Sequence, residues 1–324
     1  MPFRNFLEKQ EKHFQEGGKF AKLAPFYEMV STFFYQTSAV TRGKTHLRDA
    51  VDLKRVMITV VIALIPCLIM VFYNTGYQSN LLIAEQLEWG VEPLHTWQIG
   101  VMNALGNGFD PQSLVSNFFH GFLYGFPLYI VTITVGGLWE LLFAVLRKHE
   151  INESFLVTSM LFPMVLPPTV PLWQAALAIS FGIVFGNELF GGTGRNIVNP
   201  ALFSRAFLFF AYPASMTGSA IWYGAQFPPI DGMSGATTDA VSGATPLTVA
   251  KLEGIVNVNW WDAFLGFIPG SMGETSTLAC LIGAFVLVWT GIGSFRIMAS
   301  CVAGLVSIVL LFNIFGGDAN AFYQ

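Results

Sequence analysis

Charged residues are scarce in this sequence. Asp, Glu, Lys and Arg make up only 11% of its 324 residues, whereas 53% are hydrophobic and the mean hydropathy is +0.57. Soluble domains carry roughly 25% charged residues, so a soluble enzyme is excluded. We therefore expect an all-α polytopic membrane protein that has membrane lipid around it and no nucleic-acid partner.

Cysteine and the common cofactor motifs are also nearly absent. Cys67, Cys280 and Cys301 lie in apolar stretches without CxxC or Cys/His spacing, so we expect buried thiols and no metal site within this chain. The sequence has no GxGxxG loop, Walker motif, HExxH motif or hydrolytic triad, which argues against a nicotinamide site here. Its start lacks a short apolar h-region, so no cleavable signal peptide is expected.

Basic residues are missing from long parts of the chain. Most of the sixteen Lys and Arg lie within residues 1–55, and none lies within 74–117. Because basic residues collect on the cytoplasmic side, residues 1–55 are predicted to be a cytoplasmic segment, with the aromatic stretch 25–35 as an interfacial helix. Residues 56–324 are predicted to form the transmembrane domain.

Seven apolar segments are predicted to span or enter the membrane. Their approximate bounds are 56–73, 118–146, 155–166, 172–190, 200–212, 275–291 and 297–315, with a polar loop over 74–117. A capping box at Ser271–Glu274 is expected to start the sixth segment. The third and fifth are too short to cross about 30 Å at 1.5 Å per residue. Such short, interrupted helices favour an inverted-repeat bundle with broken helices.

Charge also orients these segments. Arg147, Lys148, Arg195 and Arg296 all fall at ends predicted to be cytoplasmic. The long loop 213–270 and the C-terminus are then expected on the outer, periplasmic side.

Several polar residues lie where the bilayer makes them costly. Glu140 and Glu188 are either ion or proton sites, or carboxylates that reach the headgroups. Arg205 needs a partner or a polar cavity, and Glu140 is one possible partner. Asn196 and Asn199 flank a helix start; they either bind a flavin or quinone, or Asn199 merely caps the helix before Pro200.

The outer loop contains the tetrapeptide Ser-Gly-Ala-Thr twice, at 234–237 and 242–245. An aspartate stands three residues before each serine, at Asp231 and Asp239. Such a stretch is either an ordinary polar loop or a flexible turn that offers a threonine hydroxyl to an incoming group.

This loop resembles the flavinylation sequence of respiratory flavoproteins, in which a flavin transferase joins FMN to threonine through a phosphodiester. Other stretches extend the likeness; they are Val51–Arg55, Gly136–Glu140, Arg147–Glu150, Pro171–Ala176, Phe190–Asn196, Asn199–Ala201, Arg205–Pro213 and Ile268–Glu274. Over its whole length the chain resembles the NqrB/RnfD family, which comprises NqrB of the Na+-translocating NADH:quinone oxidoreductase and RnfD of the Rnf complex.

The resemblance implies a translocase component of the bacterial inner membrane, part of an NADH:ubiquinone reductase. Electrons would pass from covalent FMN through riboflavin to ubiquinone while Na+ moves outward. The A, C, D, E and F subunits would be partners, one of them oxidising NADH, and a flavin transferase would act in maturation. The alternatives are the RnfD component of an Rnf-type electron transport complex and a non-redox channel or transporter.

The resemblance also implies roles for single residues. Thr245 is the first choice for the covalent FMN, because Ser-Gly-Ala-Thr-Pro-Leu is the familiar form, and Thr237 is the alternative. The other positions carried over are Asp239, Ser242 and Gly243 in the flavin loop, Asn196 and Asn199 for riboflavin, and Gly136, Gly137 and Glu140 for quinone access and a cation carboxylate. Members of the family have about ten spans of bilayer length, so this chain is expected to be a fragment or truncated product.

Overall fold

The computed structural model describes Phe14, Tyr27 and residues 53–88, 90–147, 154–217, 220–225, 245–246 and 258–315. Within these residues the α-helices are α1 (Leu53–Glu88), α2 (Trp97–Ala104), α3 (Leu114–Arg147), α4 (Ser154–Met164), α5 (Leu172–Gly186), α6 (Pro200–Ala211), α7 (Trp260–Leu265), α8 (Thr277–Trp289) and α9 (Phe295–Phe315). Short 3-10 turns occupy Glu188–Phe190, Pro213–Ser215 and Ala220–Trp222.

Four helical stretches in the described part of the chain are long and apolar enough to cross a membrane. They are Arg55–Glu88, Leu114–Arg147, Leu172–Phe190 and Phe295–Phe312. The helices α4, α6 and α8 are apolar but shorter. The chain is therefore an all-α, multi-pass membrane protein, and the predicted order of seven apolar segments, some of them short, is confirmed. The inverted repeat stays a prediction.

The helices α1 and α3 cross at very close range. A Cβ atom added to Gly76 would lie 1.8 Å from the carbonyl oxygen of Asn117, and one added to Gly121 would lie 1.8 Å from that of Phe72. Glycine is therefore required at both positions, as is usual where small residues let membrane helices approach. The remaining helices are arranged around this pair: α5 packs on α3, α6 on α5, and α8 on α1.

The predicted polar loop over 74–117 was wrong in large part. The helix α1 continues past Tyr73 to Glu88, and α2 lies within the supposed loop. The helix can continue because its polar residues are buried against other elements. Asn80 Nδ2 donates to Asn117 Oδ1 on α3 at 2.8 Å, and Asn74 Nδ2 donates to the Ile268 carbonyl oxygen at 3.0 Å.

The start of the sixth segment was also predicted wrongly. Ser271 Oγ donates to Glu274 Oε2 at 2.9 Å, but this contact belongs to a turn and no helix follows it directly. The helix α8 starts at Thr277, and Ser276 is its N-cap, with Oγ accepting from the Ala279 amide at 3.2 Å.

The irregular stretch before α8 completes the broken end of α4. The Gly273 amide donates to the Met164 carbonyl oxygen at 2.8 Å, and the Met272 amide donates to that of Leu166 at 3.2 Å. Non-helical backbone inside a membrane bundle has to be satisfied by other protein groups. These hydrogen bonds therefore explain how α4 can end within the bundle.

Only one of the three cysteines predicted to be buried is buried. Cys67 on α1 is covered, and its Sγ lies 3.8 Å from Cys280 Sγ on α8. Cys280 and Cys301 are exposed because they occupy helix faces that other described residues do not cover. The predicted interfacial helix over 25–35, apart from Tyr27, lies outside the described residues.

The close crossing of α1 and α3 gives a test of the fold. We expect Gly121→Ala to lower the unfolding temperature of the detergent-solubilised chain, because the new methyl group meets backbone that cannot rotate away. Overpacking of this kind costs about 1–3 kcal/mol. The matched control is Gly304→Ala on α9, where an added Cβ has nothing within 4 Å. Equal unfolding temperatures for the two variants would contradict this crossing.

Candidate functional site

Glu140 is buried near the Arg147 end of α3. Its side chain is only 4% exposed. Burying a carboxylate in a membrane helix is expensive, so such a residue needs partners or a function. The alternative interpretation, a carboxylate that reaches out to the headgroups, does not agree with this burial.

A second buried carboxylate lies at the end of α5. The helix ends at Gly186, and Asn187 and Glu188 then enter a 3-10 turn that closes at Gly191 with a positive φ of 106°. This turn directs both side chains into the bundle, where Asn187 is 5% and Glu188 is 1% exposed. The headgroup interpretation of Glu188 fails for the same reason as that of Glu140.

One amide group joins the two carboxylates. Asn187 Nδ2 donates to Glu140 Oε1 at 2.9 Å and to Glu188 Oε1 at 3.3 Å. Arg147 Nη1 lies 3.3 Å from Glu188 Oε2 and also donates to the Glu188 carbonyl oxygen. Carboxylates in a place with little water are tolerated when they are hydrogen-bonded and paired in this way.

The charges of this cluster do not balance within the described part of the chain. Glu140 and Glu188 carry two negative charges when ionised, and Arg147 supplies one positive charge. A proton or a bound cation has to compensate the remaining charge, because an isolated charge is costly in a low-dielectric region. The cluster can therefore take up a small cation or a proton.

The two glycines predicted to give a quinone access differ in their surroundings. A Cβ on Gly136 would lie 2.6 Å from a ring carbon of Phe155 and 2.8 Å from Ile183 Cδ1, so this glycine allows α4 and α5 to pack on α3. A Cβ on Gly137 would meet Phe155 at 3.6 Å, an ordinary contact. Both lie one turn from Glu140, and their role toward quinone stays a prediction.

Asn199 is the N-cap of α6, as its simpler interpretation predicted. Its Oδ1 accepts from the backbone amide of Ala201 at 2.9 Å. Asn196 stabilises the preceding loop, since its Nδ2 donates to the Val198 carbonyl oxygen at 3.0 Å. The riboflavin role of both residues stays a prediction.

The suggested pairing of Arg205 with Glu140 was wrong. Arg205 is half-buried on α6 and forms no ion pair with Glu140, whose partner is the Asn187 amide. The cation of the acidic cluster is Arg147, which comes from the end of α3 itself. Sequence reasoning missed Asn187; its only signal is its position between the end of an apolar helix and Glu188.

The flavin loop is described only in part. Thr245 is half-buried and directly precedes Pro246. Thr237, Asp239, Ser242 and Gly243 lie outside the described residues.

Comparison with known proteins decides the family. A sequence profile described as the NQR2, RnfD, RnfE family matches residues 40–323. The chain belongs to this family. Three similar relatives of this member of the NQR2, RnfD, RnfE family are named as the B subunits of a "Na(+)-translocating NADH-quinone reductase".

The similarity to these NQR2, RnfD, RnfE family members extends over the whole chain. The protein of Ectopseudomonas mendocina (strain ymp) is 48% identical over 328 residues, which cover 100% of this chain and 78% of the relative. That of Stutzerimonas stutzeri (strain A1501) is 47% identical with the same coverage. That of Chromohalobacter salexigens is 47% identical over 327 residues and covers 100% of this chain and 75% of the relative.

The pairing in the acidic cluster predicts an asymmetry between two substitutions. Arg147→Gln should destabilise the protein by about 1–3 kcal/mol, because it leaves the Glu188 carboxylate buried without its cation. Glu188→Gln should cost less, because the Arg147 side chain is 37% exposed and can be hydrated.

The double variant Arg147→Gln/Glu188→Gln should recover part of the loss. The measurement is denaturant or thermal unfolding in detergent, with Arg296→Gln in the exposed turn before α9 as control. An equal loss for the two single variants, without recovery in the double variant, would mean that the pair is not formed.

Proposed function

We propose that this chain is the membrane component of a Na+-translocating NADH:quinone reductase that carries covalent FMN and riboflavin. In this role it supports electron transfer to ubiquinone together with outward transport of Na+. The proposal is supported by the names of relatives that are 47–48% identical over the entire chain. The A, C, D, E and F subunits of such a complex are the proposed partners, and NADH oxidation is assigned to one of them.

The arrangement of basic residues supports an orientation in the bacterial inner membrane. Arg147 contacts Glu188, and Arg195 follows in the loop between α5 and α6, so both basic residues belong to the same end of the bundle. Basic residues favour the cytoplasmic side. We therefore assign this end and residues 1–55 to the cytoplasm, and the flavin loop within 213–270 to the periplasmic side.

The cluster of Glu140, Asn187 and Glu188 is the proposed entry site for Na+. Carboxylate and amide oxygens are the ligands that hard cations prefer. The geometry supports this role because two buried carboxylates face a single arginine within the described residues, so a cation that enters compensates the remaining negative charge. Arg147 keeps Glu188 oriented, and Asn187 holds Glu140 in place.

Thr245 is the proposed attachment site of FMN, and Thr237 is the alternative. Bound FMN and riboflavin would supply transfer of single electrons and electron pairs. The chain itself provides an accessible hydroxyl, since Thr245 is not fully buried and the flavin transferase brings the catalytic groups. We assign Asp239, Ser242 and Gly243 to the sequence that the transferase recognises.

Asn196 and Asn199 are the proposed riboflavin residues. Their fit differs. The side-chain NH2 group of Asn199 is exposed and makes no hydrogen bond within the described residues, so it can donate to a flavin carbonyl. The Asn196 side chain already uses both its oxygen and its nitrogen within its own loop, so it can contribute only by shaping the loop.

The covalent flavin gives the most direct test of this function. After coexpression with a flavin transferase, we expect a fluorescent band on a denaturing gel for the wild type and for Thr237→Ala, and none for Thr245→Ala. A phosphodiester bond survives denaturation, whereas a non-covalently bound flavin is lost. A band that disappears only in Thr237→Ala would move the site. No band in the wild type, with a control substrate labelled, would reject the flavoprotein.

A further inference from the structure

A cavity of about 390 Å³ lies between α2, α3 and the start of α5, at the end of the bundle opposite Arg147. Its walls include Thr96, Trp97, Tyr124, Pro127, Thr169 and Gly224. This volume is within the range of about 300–1,000 Å³ for small-molecule sites in proteins. The cavity is separate from the acidic cluster around Glu140, whose residues are not among its walls.

Two hydroxyl groups in the cavity wall have no hydrogen-bond partner within the described part of the chain. Tyr124 is only 5% exposed, and neither its Oη nor the Oγ1 of Thr96 is hydrogen-bonded there. The two side chains are neighbours, since Thr96 lies close enough to influence the Tyr124 phenol. Nearly all buried polar groups in proteins are hydrogen-bonded, so an adjacent pair of this kind points to an acceptor on a ligand.

The surrounding contacts hold Tyr124 firmly in place. A Cβ on Gly224 would lie 2.6 Å from Cε2 of the Tyr124 ring, so glycine is needed for this close approach. The Gly224 amide is in turn fixed by a hydrogen bond to Ser79 Oγ at 3.1 Å. Thr169 has a partner of its own, because its Oγ1 donates to the Ile221 carbonyl oxygen at 3.0 Å. The hydroxyls of Tyr124 and Thr96 are therefore positioned groups.

The chemistry of the walls restricts the ligand. Among the described residues, no Asp, Glu, Lys, Arg or His side chain lines the cavity, so these walls offer nothing to neutralise a charged ligand. Trp97 and the prolines present flat apolar surfaces, against which a planar ring can stack. Two adjacent hydroxyl groups that both need acceptors fit oxygen atoms such as carbonyl groups.

We propose that this cavity binds an uncharged planar ring bearing carbonyl groups, to which Tyr124 and Thr96 donate hydrogen bonds and against which Trp97 packs. Such a ring can come from two sources. One is a free quinone that enters from the membrane. The other is the ring of a flavin attached to this chain, since Gly224 in the cavity wall precedes the segment that leads to Thr245; this second source rests on the proposed function.

The test is a binding titration of the full chain in lipid nanodiscs, produced without a flavin transferase. The two probes are a short-chain ubiquinone and lumiflavin, a flavin ring without phosphate, and binding is followed by fluorescence quenching. At least one probe should bind to the wild type. Tyr124→Phe and Thr96→Val should each weaken that binding about fivefold, the effect of one lost hydrogen bond.

Tyr129→Phe is the matched control on the same helix. The Tyr129 hydroxyl donates to the Met160 carbonyl oxygen at 3.3 Å and does not line the cavity. Its loss should change the dissociation constants by less than about twofold. Weakening by Tyr129→Phe equal to that by Tyr124→Phe would overturn the proposal, because it would show a general effect on α3.

The two arms distinguish the sources of the ring. Binding of ubiquinone alone supports a free quinone, and binding of lumiflavin alone supports the attached flavin. If neither probe binds, or if Tyr124→Phe and Thr96→Val bind as tightly as the wild type, the proposal is wrong. The denaturing gel for covalent flavin reads out the proposed function separately, since its result does not depend on the ubiquinone titration.

Discussion

The hydrogen bonds of the Asn187 amide are the interaction on which the function of this bundle depends. They hold Glu140 of α3 and Glu188 of the α5 end within one buried cluster. Without this neutral donor the two carboxylates would face each other in a region that excludes water, with Arg147 to offset their charge. The bundle therefore keeps a negative charge buried, ready to be compensated from outside.

The packing of the helices is what makes such a cluster possible. Gly76 and Gly121 let α1 and α3 touch along their backbones, and Gly136 lets α4 and α5 come close to α3 at the other end. Short α4 and α6 leave ends inside the bundle, where loops and turns can carry polar side chains because other protein groups satisfy their backbone. Function is thus located where the regular helices stop.

The class of fold and the order of the apolar segments could be predicted well from the sequence, because long hydrophobic runs and clustered basic residues are strong signals of membrane helices and their orientation. The cap at Asn199 followed from the Asn-Pro pair alone. Prediction failed for 74–88, where polar residues suggested a loop. Asn74 and Asn80 are in fact satisfied by residues distant in the chain, which local periodicity cannot show.

The candidate site was predictable only in outline. Glu140 stood out because a carboxylate in an apolar segment is costly, but its neighbours Asn187 and Glu188 are brought to it by a turn that follows α5. The cavity beside Tyr124 left no signal in the sequence at all. A tyrosine among apolar residues is common, and only the packing of α2, α3 and Gly224 leaves its hydroxyl without a partner among the described residues.

The central claim is that the buried acidic cluster takes up Na+. The most direct measurement is the Na+ dependence of quinone reduction by the assembled complex, compared between wild type, Glu140→Gln and the exposed control Glu85→Gln. Losing a charged ligand costs about 1.5–3 kcal/mol, so Glu140→Gln should raise the half-saturating Na+ concentration roughly tenfold or more. Glu85→Gln should leave it unchanged. A Na+ dependence of Glu140→Gln that equals the wild type would contradict this role of the cluster.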